Sequence, residues 1–446
     1  MNMKSAQKYQ DSTKHLDAPA LAERPLTRRK FLQRTAGAVA GLSLGGLWSA
    51  KGAPLPAPNN SGIKHIIVVM MENRAFDHFL GWLPGANGQQ AGLNYADKAG
   101  VAHSTYPLAP DYQGCAYANP DNSYSGGRIQ YDNGACDGWL QAGTNDLLPI
   151  GYYSKTDLPF LGQAAPAWTT FDNYYAAVMS STYPNRIYQY AAQTDRLDNS
   201  ILPFCTLPTI WDRLAEQGIE GRYYFSDIPF LALWGAKYIS IARPAIDFFI
   251  DCAFGALPSV SFVDPRFLGT AAGLSNDDEP HADIRSGEAF LNAIYRAVTL
   301  SPNWRNTVLV INFDEWGGFF DHVAPTVAPI PATDAALGSD GLRGFRLPAL
   351  IISPWSPRGQ VASGLYDHTS VLRMIEWRWG LQPLSVRDAS ANNLAEVLDF
   401  SHRNLSAPRF KVPGGPFLNV CPQPPAGLGK TQLLGELARN MGFPVP

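Results

Sequence analysis

Two largely apolar segments, each followed at once by acidic residues, constrain the fold of this chain more than any other feature. Residues 63–71 and 308–313 have the composition of strands that are covered on both faces in a parallel sheet. Glu72 and Asn73 follow the first segment, and Asp314 and Glu315 follow the second. Because the carboxyl ends of parallel strands open into one crevice, we expect these two groups to meet there and to hold a metal ion.

The rest of the chain alternates between helix-like and strand-like segments, which favours an α/β fold. Apolar residues recur at helical spacing in residues 209–217, 283–300 and 369–379, and Gly218 and Gly380 close the first and the last of these. Residues 222–225, 259–263 and 347–353 have the composition of short strands. The C-terminal residues are rich in Pro and Gly and predict a tail that wraps around the domain.

The N-terminal segment resembles a twin-arginine export signal. Arg28 and Arg29 precede an uncharged stretch, residues 36–50, that is rich in Gly, Ala and Leu. This stretch is shorter than the roughly 20 apolar residues of a membrane span. We therefore expect residues 1–53 to be a signal peptide with a short linker, which engages the twin-arginine export machinery. The protein would be exported to the periplasm, the cell surface or the medium, and an uncleaved membrane anchor stays open as the alternative.

Composition limits the number of domains and the kinds of partner. Pro and Gly are scattered rather than gathered into a linker, and no internal repeat is visible, so we expect one domain over residues 54–446. The formal net charge is −3, and no Lys/Arg cluster follows the signal. A chain of this charge distribution lacks the basic surface that binds nucleic acid.

The five cysteines show no paired metal-binding spacing, and an oxidising compartment permits disulfides. The pairs Cys115–Cys136 and Cys205–Cys252 close the shortest loops and are the predicted disulfides, which leaves Cys421 unpaired. For Cys205 and Cys252, buried free thiols are an equally good interpretation.

Thr182 is the candidate nucleophile. It lies in residues 180–186, where Pro184 favours the start of a helix. A hydroxyl at a helix N-terminus lies in positive potential, which stabilises both an anionic substrate and a developing alkoxide. A free hydroxyl is a poor nucleophile at neutral pH, so it requires activation by a metal or a base. The alternative is that Thr182 only caps the helix.

Several motifs, taken together and in this order, resemble one known family. They occupy residues 72–78, 137–139, 182–186, 283–285, 314–322 and 367–370 within a match of about residues 63–381. The sequence is similar to the bacterial phosphoesterase family, which contains phosphatidylcholine-type phospholipases C and related acid phosphatases and is a branch of the alkaline phosphatase superfamily. The resemblance implies a three-layer α/β/α sandwich of the alkaline phosphatase-like type with long loop insertions.

The resemblance also implies a set of roles for residues of this chain. A divalent metal ion (Zn, Mn, Ca or Mg) would be held by Glu72, Asn73, Asp314 and Glu315. Thr182 would attack the phosphate ester and form a phospho-threonine that water hydrolyses. The other implied roles are proton transfer or phosphate binding by His281, His322 and His368, and substrate binding by Asp77, His78, Arg186 and Asp283.

This sequence departs from the family pattern at two positions. Many members have a His where Glu279 stands, and many have a His after the Asp-Glu pair, where this chain has Trp316. Trp cannot bind a metal, although it can stack or donate one hydrogen bond. The role of the first His and the range of substrates are therefore open for this chain.

The expected substrate is a phosphate ester, and a phospholipid such as phosphatidylcholine is the leading prediction. An acid phosphatase of broad range is the close alternative, and a protein that binds a phosphorylated ligand without turnover is the third. A sulfatase would require a Cys or Ser within an aldehyde-forming motif, and none surrounds Thr182. The chain has 11 Trp, 19 Tyr and 22 Phe, which form either a cage for a choline group or ordinary packing.

Overall fold

The computed structural model describes residues 54–421 and 428–445. The predicted export signal, residues 1–53, lies outside the described residues. Within the described part of the chain, no helix is both long enough and apolar enough to cross a membrane.

The core of the described domain is an eight-stranded sheet. Its strands are β1 His65–Met71, β2 Thr169–Phe171, β3 Gly221–Phe225, β4 Ala242–Pro244, β5 Val260–Val263, β6 Thr307–Phe313, β7 Ala349–Ile352 and β8 Val361–Ala362. Their spatial order is β8-β2-β7-β6-β1-β5-β3-β4, and β7 is the one strand of this sheet that runs antiparallel to its neighbours.

Helices cover the sheet and build an α/β fold of three layers. The side chains of β6 are buried on both faces, as are those of β1 after its first residue, so helices and loops pack on both sides of the sheet. The helices are α1 Phe76–Leu80, α2 Tyr124–Tyr131, α3 Leu161–Ala164, α4 Thr182–Ala191, α5 Ile210–Glu216, α6 Ala245–Phe254, α7 Ile284–Leu300, α8 Ala332–Ala336, α9 His368–Trp379, α10 Val386–Ala389 and α11 Leu428–Met441. Helix α4 packs against α5 and α9, and α6 packs against α7.

The register of the two central strands places the acidic motifs side by side. β1 and β6 pair in parallel from His65 opposite Thr307 to Met71 opposite Phe313, so both strands end at the same level. The residues that leave these strands, Glu72 and Asp314, therefore emerge next to each other at the carboxyl edge of the sheet.

The elements predicted from the sequence are present, with small differences at their ends. Helix α7 begins after Asp283, whose Oδ1 accepts a hydrogen bond from the Arg285 backbone N–H at 3.1 Å, and α9 begins after Asp367. The edge strands β4 and β8 and helix α6 were not predicted, because no clear pattern in the sequence marks them. The edge strands have only two or three residues, and α6 is apolar on most of its circumference.

Two predictions about the C-terminal region need correction. The structure pairs Cys115 with Cys421, not with Cys136, and Cys136, Cys205 and Cys252 are buried free thiols. The predicted pairing failed because proximity along the chain does not measure distance in space. Within the described part of the predicted tail, the residues before Cys421 have no regular secondary structure, but Leu428–Met441 form helix α11.

Candidate active site

Three buried carboxylates from three neighbouring strands surround one guanidinium at the carboxyl edge of the sheet. Glu72 follows β1, Asp264 follows β5 and Asp314 follows β6. The Arg186 guanidinium lies 3.4 Å from Glu72 Oε1, 3.2 Å from Asp264 Oδ1 and 3.4 Å from Asp314 Oδ2. All four side chains are almost fully removed from solvent. Buried carboxylates of this kind persist only with a compensating cation.

The helix that carries Arg186 also carries the candidate nucleophile. Thr182 is the first residue of α4, and Arg186 lies one turn later on the same helix face. The loop before α4 is fixed by Asn185, whose Nδ2 donates to the backbone oxygens of Val178 and Ser180 at 3.1 and 2.7 Å. Thr182 is therefore held at the positive end of a helix, one turn before the arginine that contacts the carboxylates.

Aromatic rings hold the Arg186 guanidinium in place. It lies 4.3 Å from the ring centre of Phe230 and 4.8 Å from that of Phe267. Cation–π contacts between buried groups are worth about 2 kcal/mol. These rings and the three carboxylates leave Arg186 little freedom, and Arg186 in turn fixes α4 against the sheet.

The oxygen atoms around the cluster fit a divalent cation. Asn73 Oδ1 and Asp277 Oδ2 are buried without a hydrogen-bond partner among the described residues, and Asp314 Oδ2 has only the 3.4 Å ion pair with Arg186. One carboxylate oxygen from each of Glu72, Asp277 and Glu279 also lies within 4.8 Å of the other two. Unpaired buried oxygens are costly, and a hard cation bound by oxygen ligands would satisfy them.

The pKa values of the acids in this cluster also favour a bound cation. Burial is the main cause that raises the pKa of Asp314 to about 6 and that of Glu279 to about 7. Burial, followed by the charge of Asp314, raises the pKa of both Glu72 and Glu315 well above its usual range. Arg186 alone therefore does not hold all these groups in the ionised form, and a bound cation would lower every one of these pKa values.

Glu315 is fixed by its neighbours. Its Oε1 accepts a hydrogen bond of 2.5 Å from Asn122 Nδ2, and its Oε2 accepts one of 2.7 Å from the Gly317 N–H. Gly317 has a φ of +64°, and a Cβ there would lie 2.2 Å from the backbone oxygen of Asn73, so only glycine fits. The close approach of the turn after Glu315 to the backbone of Asn73 therefore requires glycine at this position.

The three predicted catalytic histidines differ in their surroundings. His281 Nδ1 donates to the Gly114 carbonyl at 2.8 Å, and no described residue bonds its Nε2. His322 Nδ1 donates to Asp77 Oδ2 at 2.5 Å. His368 is fully buried, with Nε2 donating to Phe313 O at 2.9 Å and Nδ1 accepting from the Ala177 N–H at 3.3 Å. Burial lowers its pKa to about 4, so these contacts suit a neutral, structural imidazole.

Of the four residues predicted to bind substrate, only Arg186 contacts the acidic cluster. Asp77 is buried and pairs with Arg346 Nη2 at 3.2 Å as well as with His322. His78 is buried, stacks on Phe319 with ring centres 3.8 Å apart, and donates from Nδ1 to the Gly151 carbonyl. Asp283 caps α7 and pairs with Arg285 Nη2 at 2.6 Å.

Trp316 is part of the packing. Its Nε1 donates to Gln130 Oε1 at 2.7 Å, and its ring is fully buried against Gly127. The indole therefore supplies no ligand atom to the cluster.

The structure adds two acids that were not assigned a role from the sequence. Asp264 follows β5 directly, which is the same arrangement as Glu72 after β1 and Asp314 after β6, so the strand-then-acid pattern could have identified it. Asp277 reaches Glu72 from the long loop between β5 and α7, and its backbone oxygen accepts a hydrogen bond of 2.8 Å from the Glu72 N–H. No sequence pattern gives the path of such a loop.

Comparison with known proteins gives the class of this protein. A model of the family described as the phosphoesterase family matches residues 63–382. The chain is similar to phospholipase C A of Mycobacterium tuberculosis, with 29% identity over 84% of this chain and 86% of the relative. It is also similar to phospholipase C B of the same organism, with 30% identity over 87% and 89%. Non-specific phospholipase C1 of Arabidopsis thaliana is 28% identical over 81% and 75%.

Similarity to solved structures is more distant. A protein of the alkaline phosphatase superfamily from Vibrio parahaemolyticus gives a TM-score of 0.34 at 10% identity, over 71% of this chain and 66% of that one. Lipoteichoic acid synthase LtaP from Listeria monocytogenes gives 0.38 at 8% identity, over 79% of each chain. These scores are too low to support an argument about function.

The α/β fold, the buried acidic cluster and the relatives together define a phosphoric ester hydrolase. The family match covers most of the chain, and the relatives that it resembles share one type of activity. The chain belongs to the phosphoesterase family and is of the phospholipase C type.

Proposed function

We propose that this protein is an exported, metal-dependent phospholipase C that cleaves phospholipids such as phosphatidylcholine through a phospho-threonine at Thr182. The observation that carries the proposal is the contact of Arg186 with acids from three adjacent strands. Arg186 anchors α4 at these acids, and Thr182 is the first residue of the same helix, one turn before Arg186, which supports Thr182 as the nucleophile. Export is supported by Arg28 and Arg29 and the uncharged stretch that follows them.

The type of ligand atom at the candidate metal site determines which cation the site favours. Glu72, Asn73 and Asp314 would hold the ion, and Asp277 and Glu279 lie within reach of Glu72. A set made only of oxygen atoms favours Ca²⁺, Mg²⁺ or Mn²⁺ over Zn²⁺, which prefers nitrogen and sulfur. When bound, the ion would supply positive charge for the phosphate oxygens and for the Thr182 hydroxyl.

Each step of the reaction involves a residue of this chain. Thr182 Oγ forms a bond to phosphorus and loses its proton to water, while the bond from phosphorus to the diacylglycerol oxygen breaks. The leaving oxygen takes a proton, and His281 is the predicted histidine whose Nε2 remains available for this exchange. Water then attacks phosphorus, the bond to Thr182 breaks, and phosphocholine and the free hydroxyl result. Arg186 is a positioning residue.

The proposal is tested with two chromogenic substrates, a phosphocholine diester and a phosphate monoester, each with and without chelator. Thr182→Ala should reduce turnover about a thousandfold or more because the nucleophile is removed. Thr182→Ser keeps a hydroxyl in the same place and is the matched control, which should retain measurable turnover. Asp314→Asn should lower both the turnover and the metal content of the purified protein.

Each outcome separates one function from the others. Chelator-sensitive cleavage of the diester that depends on Thr182 supports the phospholipase, and preference for the monoester identifies a broad phosphatase instead. Full activity of Thr182→Ala contradicts the covalent mechanism. Absence of cleavage of both substrates would leave a protein that binds a phosphorylated ligand.

A further inference from the structure

We propose that the edge of the candidate site docks on a phospholipid surface through exposed apolar side chains, here called the apolar rim. This inference rests on the proposed function and gives the physical form of its substrate, a lipid in a bilayer. The rim residues expose between 38% and 67% of their surface. They are Leu202, Phe204, Leu274, Leu418 and Val420.

The first side of the rim is joined directly to the helix that carries Thr182. The Asn199 side chain accepts a hydrogen bond of 2.8 Å from the backbone N–H of Tyr183, the residue after Thr182. Three and five residues later the same segment exposes Leu202 and Phe204. The segment that exposes these two side chains is therefore anchored at the N-terminus of α4.

The second side of the rim flanks the loop that carries His281. This loop leaves the carboxyl end of β5 and exposes Leu274. The segment with Leu418 and Val420 packs on it: Asn419 Nδ2 donates to Asp283 Oδ2 at 2.8 Å, and the Cys421 N–H donates to Ala271 O at 3.2 Å. Both sides of the rim therefore belong to segments at the carboxyl edge of the sheet, the edge that carries the acidic cluster.

The structure holds both segments in place with their apolar side chains outward. Arg196 donates to the carbonyls of Ser200 and Pro203, which fixes the loop around Leu202. The disulfide from Cys115 to Cys421 ties the other segment to the domain. Segments held in this way keep large apolar side chains in water, which favours a surface that docks rather than a loop that folds inward.

The charge beside the rim and the burial of the acids indicate that the rim docks on a lipid surface. Arg266 is exposed, makes no ion pair with a described residue, and lines the same cavity as Leu274. A free guanidinium beside apolar side chains suits the boundary between lipid phosphates and acyl chains. Glu72, Asp264 and Asp314 are at most 5% exposed, so the phosphate of a lipid has to come close to the carboxyl edge of the sheet to reach them, and a rim that docks there would bring it close.

The chain offers a matched control on another surface. Ile250 and Phe254 are also exposed apolar residues, on helix α6. This helix starts at the carboxyl end of β4 and runs about 15 Å towards the opposite edge, where the chain enters β5. Substitution of these two side chains tests for non-specific adsorption to vesicles and leaves the apolar rim unchanged.

The experiment compares the double variants Leu202→Ser/Phe204→Ser and Ile250→Ser/Phe254→Ser with the wild-type full chain. Binding is measured by co-sedimentation with phosphatidylcholine vesicles, with and without an anionic phospholipid. Turnover is measured on the same vesicles and on a soluble phosphocholine diester. The rim variant should lose vesicle binding and vesicle turnover by about tenfold or more, because two apolar side chains no longer leave water.

On the soluble diester, the rim variant should stay within about twofold of the wild type, as is usual for surface substitutions. The α6 variant should match the wild type in every assay, and Arg266→Gln should lose only the additional binding to anionic vesicles. Equal vesicle binding by the wild type and the rim variant overturns the inference, as does an equal loss of soluble and vesicle turnover. Rim-dependent binding without any cleavage supports docking and contradicts the proposed function.

Discussion

At the scale of single residues, Arg186 determines the charge balance of the site. It is the cation among the described residues that contacts Glu72, Asp264 and Asp314 together, and it is itself fully buried. Removal of one member of a buried ion cluster leaves charges without compensation, which costs far more than loss of an exposed pair.

The substitution Arg186→Gln should therefore lower the free energy of unfolding by about 3–5 kcal/mol, measured by urea denaturation at pH 7. Arg213→Gln is the control, since Arg213 is partly exposed and pairs at 3.2 Å with the exposed Glu216, and it should cost less than about 1 kcal/mol. Equal losses in the two variants would show that the buried cluster has no special role in stability.

At the scale of elements, α4 and α9 connect the site to the rest of the domain. They pack against each other, and α9 buries the carboxyl of Glu376, which is 1% exposed. Burial, and then the neighbouring Asp388, raises the pKa of Glu376 from 4.5 to about 9. At neutral pH the folded protein therefore holds a proton on this group that the unfolded chain, in which the pKa stays near 4.5, has already lost.

Because the folded-state pKa is raised, the stabilisation from this proton is complete below about pH 4.5 and disappears as the pH rises towards about 9. Glu376→Gln keeps a neutral side chain at every pH, so its stability relative to the wild type should rise between pH 5.5 and pH 9 in urea titrations. Glu216→Gln on α5 is exposed and should show no such trend. A parallel pH dependence in wild type and Glu376→Gln would rule out this group as the cause.

At the scale of the whole molecule, the disulfide Cys115–Cys421 joins segments that are 306 residues apart in sequence. It fixes the extended C-terminal segment against the loop that carries His281 and Asp283. A cross-link over a long span reduces the freedom of the unfolded chain, and disulfides typically contribute about 2–4 kcal/mol.

Reduction of the protein should accordingly lower its thermal midpoint, measured by calorimetry with and without reductant. The double variant Cys115→Ser/Cys421→Ser should show the lower midpoint in both conditions, so that reductant has no further effect on it. If reductant still lowers the midpoint of the double variant, the effect does not come from this disulfide.

Local patterns in the sequence determined the central elements and the core of the site. β1 and β6 are long apolar runs, and α7 and α9 have clear periodicity with Asp caps, because burial on both faces and amphipathic packing impose these patterns on consecutive residues. The acids after β1 and β6 were identified for the same reason: a strand end fixes where its next residue points.

Tertiary structure alone decided which distant groups meet. The partner of Cys115, the approach of Asp277 to Glu72 and the enclosed positions of His78 and His368 depend on how long loops cross the carboxyl edge of the sheet. Nearest neighbours in sequence carry no information about such contacts, since the energy that selects them arises only when the packed domain brings the groups together.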